Sequence, residues 1–263
     1  MVEKLRIGVA VKYGVDVSLA RADRATGLVS LAGAPRKTSD FDLNAVEEAV
    51  RVREKHGGTV TAISVGGAEA KQSLREAYAI GADQGVLVTA AGAAAWDSRA
   101  VARLLAATIK KLGGFDLFLL GEGSTDHFAG LIGPRIAAEL GVADIAYVRK
   151  LTIGPDGVVA EKDLEKEIEV LKAKYPVVVA VGQEINTPRV PNFMANLKAS
   201  KKDVQTLAPA DLGLAPEALA PAVLIDRTAV PEVPRKRTTV SGATPAEVAG
   251  KLVEALKGEG VLA

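Results

Sequence analysis

At 263 residues the chain is long enough for one large α/β domain or two modest ones. With 48% hydrophobic and 25% charged residues it has a globular composition, and a formal charge of +1 provides no long-range field for nucleic acid or an anionic membrane. Cysteine is absent, which excludes disulfides, zinc–thiolate sites and iron–sulfur clusters, and two histidines, His56 and His127, are too few for a multi-histidine metal centre.

Redox chemistry would therefore have to come from a bound organic cofactor. Aromatics make up only 4%, so Ala, Val, Leu and Ile must fill the core, which suits helices packed on a buried parallel sheet. No apolar run approaches the ~18 residues of a membrane span, and the charged opening MVEKLRIGVAVK does not suit a signal peptide, so a cytoplasmic protein without membrane insertion is expected. Four Asn and four Gln point to a thermophilic source.

LRIGVAVK (5–12) predicts a buried first strand, and VSLARADRATGLVSLA (17–32) a small two-stranded excursion about its ATG turn. DFDLNAVEEAVRVREKHGG sets Leu43, Val46, Ala49 and Val50 on one helical face behind an acidic start. GTVTAISVGG (58–67) is a second strand, and AEAKQSLREAYAIGA a second helix with Ala70, Leu74, Ala77 and Tyr78 aligned. QGVLVTA (84–90) is a third strand, followed by a third helix over 97–114 capped by Asp97 or Ser98. FDLFLLG (115–121) is a fourth strand that runs into EGSTDHFAGLIGPRIAAELG, where a helix starts no earlier than about Leu131 because Pro134 belongs in a first turn. Residues 144–174 read as antiparallel strands turned at GPDG, and YPVVVAVGQ (175–183) as a fifth core strand.

This alternation predicts a five-stranded, parallel, doubly wound α/β sheet of order 3-2-1-4-5 with antiparallel additions. Its ligand would sit off the carboxyl ends of strands 1 and 4, where the chain direction reverses. Two domains are expected: an α/β nucleotide-binding domain over 1–183 and an extended C-terminal arm over 184–263. The arm carries most of the twelve prolines, with Phe193, Met194, Leu197, Val223, Leu224 and Ile225 scattered through it, and ends in a helix capped by Thr244. Burial against a partner would offset its ordering entropy.

The loop after the fourth strand is the candidate site. Gly121 and Gly123 allow close backbone approach, Ser124, Thr125 and the amides of Ala129 to Ile132 can donate to phosphate oxygens, and the following helix presents its positive end. The loop is neither a Walker A sequence nor a G-x-G-x-x-G. For Asp126 and the SDFD segment (39–42), helix capping is the simplest role, and His127 reads as a contact or surface group. The spacing contains no catalytic triad, carboxylate dyad or metal cluster. A stand-alone adenine-nucleotide sensor of the stress-protein type would explain the sheet and the loop but not the arm.

Several segments together resemble the β subunit of electron transfer flavoprotein: VAVK, DFDLNAVEEAVRVREKHGG, REAYAIGAD, the signature-like PRVPNFMANLKASKK, and ADLGL (210–214). The resemblance runs in order over nearly the whole chain. It implies an adenine-nucleotide-hydrolase-like fold, a heterodimer with a larger α subunit that holds most of an FAD, and electron traffic between flavin dehydrogenases and a quinone reductase or other acceptor. It also implies AMP, or a second FAD in electron-bifurcating relatives, bound in this subunit. By the family's pattern the nucleotide meets Ala10, Ser39, Asp40, Phe41, Asp42, Val65 and the loop Gly121, Gly123, Ser124, Thr125, Asp126, His127, Phe128, Ala129, Gly130, Leu131, Ile132 and Gly133. Asp97 and Ser98 resemble the acid–hydroxyl step of bifurcating members, which would add flavin-based oxidoreductase activity. The loop departs from both kinds: the bifurcating acid–hydroxyl pair and glutamine fall at Phe128, Ala129 and Leu131, and the threonine of AMP-binding members at Ile132. Backbone amides would then carry more of the phosphate. Arg189, Pro191, Asn192, Phe193 and Met194 would meet partner dehydrogenases, with Phe193 in place of a leucine. No catalytic side chain is implied.

Overall fold

A computed structural model describes residues 4–31, 33–89, 96–230 and 235–262. In chain order its elements are β1 (Leu5–Ala10), β2 (Tyr13–Val15), β3 (Arg21–Ala22), β4 (Val29–Ser30), β5 (Arg36–Thr38), α1 (Asp40–His56), β6 (Gly58–Gly66), α2 (Lys71–Ile80), β7 (Gln84–Thr89), α3 (Ser98–Lys111), β8 (Leu117–Gly121) and α4 (Ile132–Leu140). There follow β9 (Ala143–Ile153), β10 (Gly157–Asp163), β11 (Ile168–Lys174), β12 (Val177–Val181), α5 (Phe193–Ser200), β13 (Gln205–Leu207) and α6 (Pro245–Gly258).

Nine strands form one sheet in the order β11-β10-β9-β12-β8-β1-β6-β7-β13. Strands β9, β12, β8, β1, β6, β7 and β13 pair in parallel, while β10 joins β9 and β11 antiparallel. Strands β1, β7, β8 and β12 are short apolar runs buried on both sides, as a sheet covered by helices on two faces requires, whereas β9 and β11 are largely exposed. Along β8 the alternation is direct: Leu117 and Leu119 join the core beneath α1 and α2, and Phe118 and Leu120 join the one beneath α3 and α4. Helix α1 buries Ala45, Val46, Ala49, Val50 and Val52 on the sheet, with acids in its first turn and Arg53, Lys55 and His56 in its last, as the helix dipole favours. Gly57, at φ +80°, ends it. The excursion about ATG folds as β3 and β4, and it is flanked by β2 and β5, which pair antiparallel without any periodicity signal.

Residues 184–219 pack against the sheet domain, a feature absent from the sequence reading of an extended arm. Asn186 exchanges hydrogen bonds with Asn44 and donates to the Glu48 carboxylate, Ala199 is buried in the core beside α2, and β13 extends the sheet beyond β7 with Leu207 buried. Arg103 and Arg99 on α3 hold the carbonyls of Ala218 and Ala220, while Leu219 is buried with Val88, Ala100 and Leu104. Farther along, Thr228 and Val230 pair with Val29 and Gly27 of the β3–β4 excursion. Helix α6, capped by Thr244 through the amide of Glu247, buries none of its residues; Leu252 and Val253 stand exposed on it. No helix among the described residues is long and apolar enough to cross a membrane.

Candidate nucleotide-binding site

Strands β1 and β8 are neighbours, yet β1 leads on to β6 on one side and β8 lies against β12 on the other. Their carboxyl ends therefore open into a crease, the position where such sheets take ligands. Asp42, in the first turn of α1, closes the bottom of it. Its buried carboxylate accepts from the Lys12 amide at 2.8 Å and the Gly121 amide at 3.1 Å, bracing the ends of both strands. Burial pushes this carboxyl up to about 7, against the pull of those two amides and the Lys12 charge.

Above it, the Lys12 ammonium donates to Asp126 Oδ1 at 2.6 Å and Ser124 Oγ at 3.2 Å. Burial opposes charge on Asp126, but hydrogen bonds from His127, Lys12 and Ser124 outweigh it and hold the carboxyl well below the usual range. The Asp40 amide donates to Thr125 Oγ1 at 3.1 Å, and the Thr125 amide to Ser39 Oγ at 3.4 Å. The rings of Phe41 and Phe128 pack with centroids 5.1 Å apart. Gly121 is required by this interlock, since a Cβ there would lie 2.6 Å from the Phe41 Cβ.

The structure thus joins the 39–42 segment to the 121–128 loop, and it gives Asp126 a role other than the expected cap. Asp126 does not cap α4; it neutralises Lys12. Leu131 stands at the N-cap position and Ser39 at that of α1, both without a side-chain cap bond. The amides of Ala129, Gly130 and Leu131 make no hydrogen bond among the described residues, and α4 begins directly after them. Free amides before a helix N-terminus are suited to an anion. Gly133 is buried against Leu120 and Ala180, and Ile132 packs beside the same core. Ala10 is buried at the end of β1, and Val65 is half-buried near the end of β6.

Asp97 caps α3 by accepting from Arg99 and Ala100, and it also accepts the Ala222 amide at 2.7 Å, pinning the C-terminal segment at that point. Its carboxylate is committed to protein amides, and Ser98 follows as the first residue of α3. Lys12 is the charged group that sequence reasoning missed. It stands in the quoted VAVK run, but as the last letter of a strand it offered no spacing signal of its own.

Among the residues expected to meet partners, Arg189 turns inward. It grips the buried Glu47 at 2.8 Å and Glu54 at 2.8 Å. Asn192 caps α5 by accepting from Ala195, so Pro191, Phe193 and Met194 follow a fixed turn, and Phe193 is 79% exposed. No group of acids and histidines suited to a metal occurs among the described residues.

The chain is thus a doubly wound α/β domain with an amide-lined loop at its switch point and an appended C-terminal segment. Residues 26–212 match the electron transfer flavoprotein domain. The chain is 37% identical over 209 residues to the electron transfer flavoprotein subunit beta of Thermoanaerobacterium thermosaccharolyticum, covering 79% of this chain and 80% of that protein. It is 35% identical over 235 residues to the same subunit of Bacillus subtilis, covering 89% and 91%. It is also 30% identical over 257 residues to the caffeyl-CoA reductase-Etf complex subunit CarD of Acetobacterium woodii, covering 96% and 98%. The chain belongs to the electron transfer flavoprotein family, on the side of its β subunits. A stand-alone stress-protein-type sensor is not favoured.

Proposed function

We propose that the chain is the β subunit of a cytoplasmic electron transfer flavoprotein, paired with an α subunit that holds most of an FAD, and that it keeps an adenylate in the crease between β1 and β8. That adenylate is AMP or the adenylate half of a second FAD. Supporting this is the row of free amides at Ala129, Gly130 and Leu131 ahead of α4, beside a lysine whose charge Asp126 already answers. With the site's cation committed, main-chain dipoles are left to meet the phosphate, consistent with apolar Phe128, Ala129, Leu131 and Ile132 in the loop.

The residues present fit such a group: Ser39 to Asp42 would flank the nucleoside, and Gly121 to Gly133 the phosphate. When bound, a flavin supplies the electron chemistry. The protein positions it, excludes water and sets its electrostatic surroundings. The exposed apolar face of α6, with Leu252 and Val253, and the exposed run Val223, Leu224 and Ile225 would cover and be covered by the α subunit. Exposed Phe193 and Met194 would meet a flavin dehydrogenase, and a quinone reductase or other acceptor would take the electrons onward. Relatedness to CarD supports extending the reading to electron bifurcation.

Co-expression with the α subunit tests the reading. A yellow heterodimer reduced by a flavin dehydrogenase and reoxidised by an acceptor is expected. A colourless chain that stays monomeric beside its α subunit would contradict it.

A further inference from the structure

Tyr147 lies in β9 with a backbone φ of +59°, a left-handed conformation that an aromatic residue rarely adopts. A bulge causes it. Val179 of β12 pairs with Ile145 and Val181 with Val148, so Ala146 and Tyr147 together oppose Ala180. The pairing of β9 with β10 slips close by, at Arg149, with Glu161 opposite Lys150 and Lys162 opposite Val148. Bulges of this kind re-aim a side chain, and such strain persists where surrounding structure imposes it.

Here the side chain is aimed at the loop beyond β8. The Tyr147 hydroxyl lies 3.8 Å from the point that a Cβ on Gly130 would occupy. Gly130 sits between the free amides of Ala129 and Leu131, at φ +64°. The hydroxyls of Tyr78 and Tyr175 donate to the carbonyls of Asp203 and Gly154, whereas that of Tyr147 has no protein partner among the described residues. Tyr147 as a whole residue is 46% exposed.

We propose that Tyr147 is a ligand-binding residue whose phenol O–H donates a hydrogen bond to the adenylate phosphate held by the amides of residues 129–131. This rests on the nucleotide reading above and adds to it a side chain from a strand remote in sequence. A neutral donor suits the site, because Lys12 is already engaged by Asp126 at 2.6 Å. The loop's own side chains at 128, 129, 131 and 132 are apolar, so the phenol would supply a polar side-chain contact that those positions lack.

Tyr147→Phe keeps the ring and removes only the hydroxyl. Nucleotide-stripped heterodimer, wild type and variant, is titrated calorimetrically with AMP and with adenosine, and the melting temperature of each unliganded protein is recorded. AMP binding should weaken about tenfold to a hundredfold, as for a lost hydrogen bond to a charged group, with adenosine affinity and melting temperature unchanged. Unchanged AMP affinity would overturn the proposal, as would equal weakening of AMP and adenosine, which would place the effect away from the phosphate. Wild-type protein that binds neither compound would overturn the nucleotide reading itself, and the role of Tyr147 with it.

Discussion

Arg189→Ala should loosen the join between the sheet domain and the segment that presents Phe193. The Glu47 side chain is only 2% exposed, and its carboxylate accepts from Arg51 at 2.6 Å, from Arg189 Nε at 2.8 Å and from the Arg189 amide at 3.2 Å. The same guanidinium spans to Glu54, whose bonds, with those of Glu47, hold Arg189 firmly protonated. Removing it leaves Glu47 with Arg51 and one amide. A hydrogen bond to a charged group contributes about 1.5–3 kcal/mol, and the partial exposure of Arg189 discounts this. A cost of about 2 kcal/mol follows, or roughly 4–8 °C in melting temperature for a chain of this size. The effect carries a pH signature. Burial raises the Glu47 carboxyl, but the Arg189 and Arg51 bonds outweigh it and hold it below 4.5, so its contribution is present above that value and lost as pH falls. Thermal melts of wild type, Arg189→Ala and Arg189→Lys from pH 7 to pH 4 should show a deficit that narrows in acid, with Lys rescuing only part because it lacks the planar fork. An Arg189→Ala protein that melts with wild type at pH 7, or a deficit that widens in acid, would refute the reasoning.

Asp42 titrates in the opposite sense. Its folded value of about 7 lies above its ordinary 3.8, so its contribution is full below about pH 4 and is lost as pH rises to about 7, at most on the order of 4 kcal/mol. Asp42→Asn should remove that slope from a stability–pH profile, and a slope unchanged in the variant would show that another group carries it. Gly121→Ala would drive a Cβ into Phe41 and Asp42. Overpacking of about 1–3 kcal/mol, together with loss of bound adenylate, is expected in melts and nucleotide release, and normal nucleotide content would argue against the interlock. Deleting residues 244–263 removes no buried α6 side chain, so the sheet domain should melt as before while association with the α subunit is lost in size-exclusion runs. Retained heterodimer would contradict the role given to α6.

The sheet was legible because each core strand is an apolar run bounded by helix-period segments, and Leu117 to Leu120 show both faces in four letters. The loop from Gly121 to Gly133 was legible through its glycines and hydroxyls, and the family resemblance located the 39–42 segment opposite it. What escaped depends on long-range geometry. β13 is three residues long, and the chain leading into it is held by Tyr78 on the Asp203 carbonyl and by Lys202 on the Ala82 carbonyl. Asp126 looked like a helix cap because capping is local, whereas Lys12, its actual partner, is 114 residues away. Tyr147 carries no local signal at all. Its backbone follows from a bulge set by register with β12, a strand farther along the chain.

The most direct measurement is the adenylate content of the purified heterodimer, counted by acid release and chromatography. Two adenylate equivalents per heterodimer are expected: one FAD with one AMP for the simple carrier, or two FAD for the bifurcating kind. A single FAD with no further nucleotide, in protein active in electron transfer, would contradict a ligand held between β1 and β8.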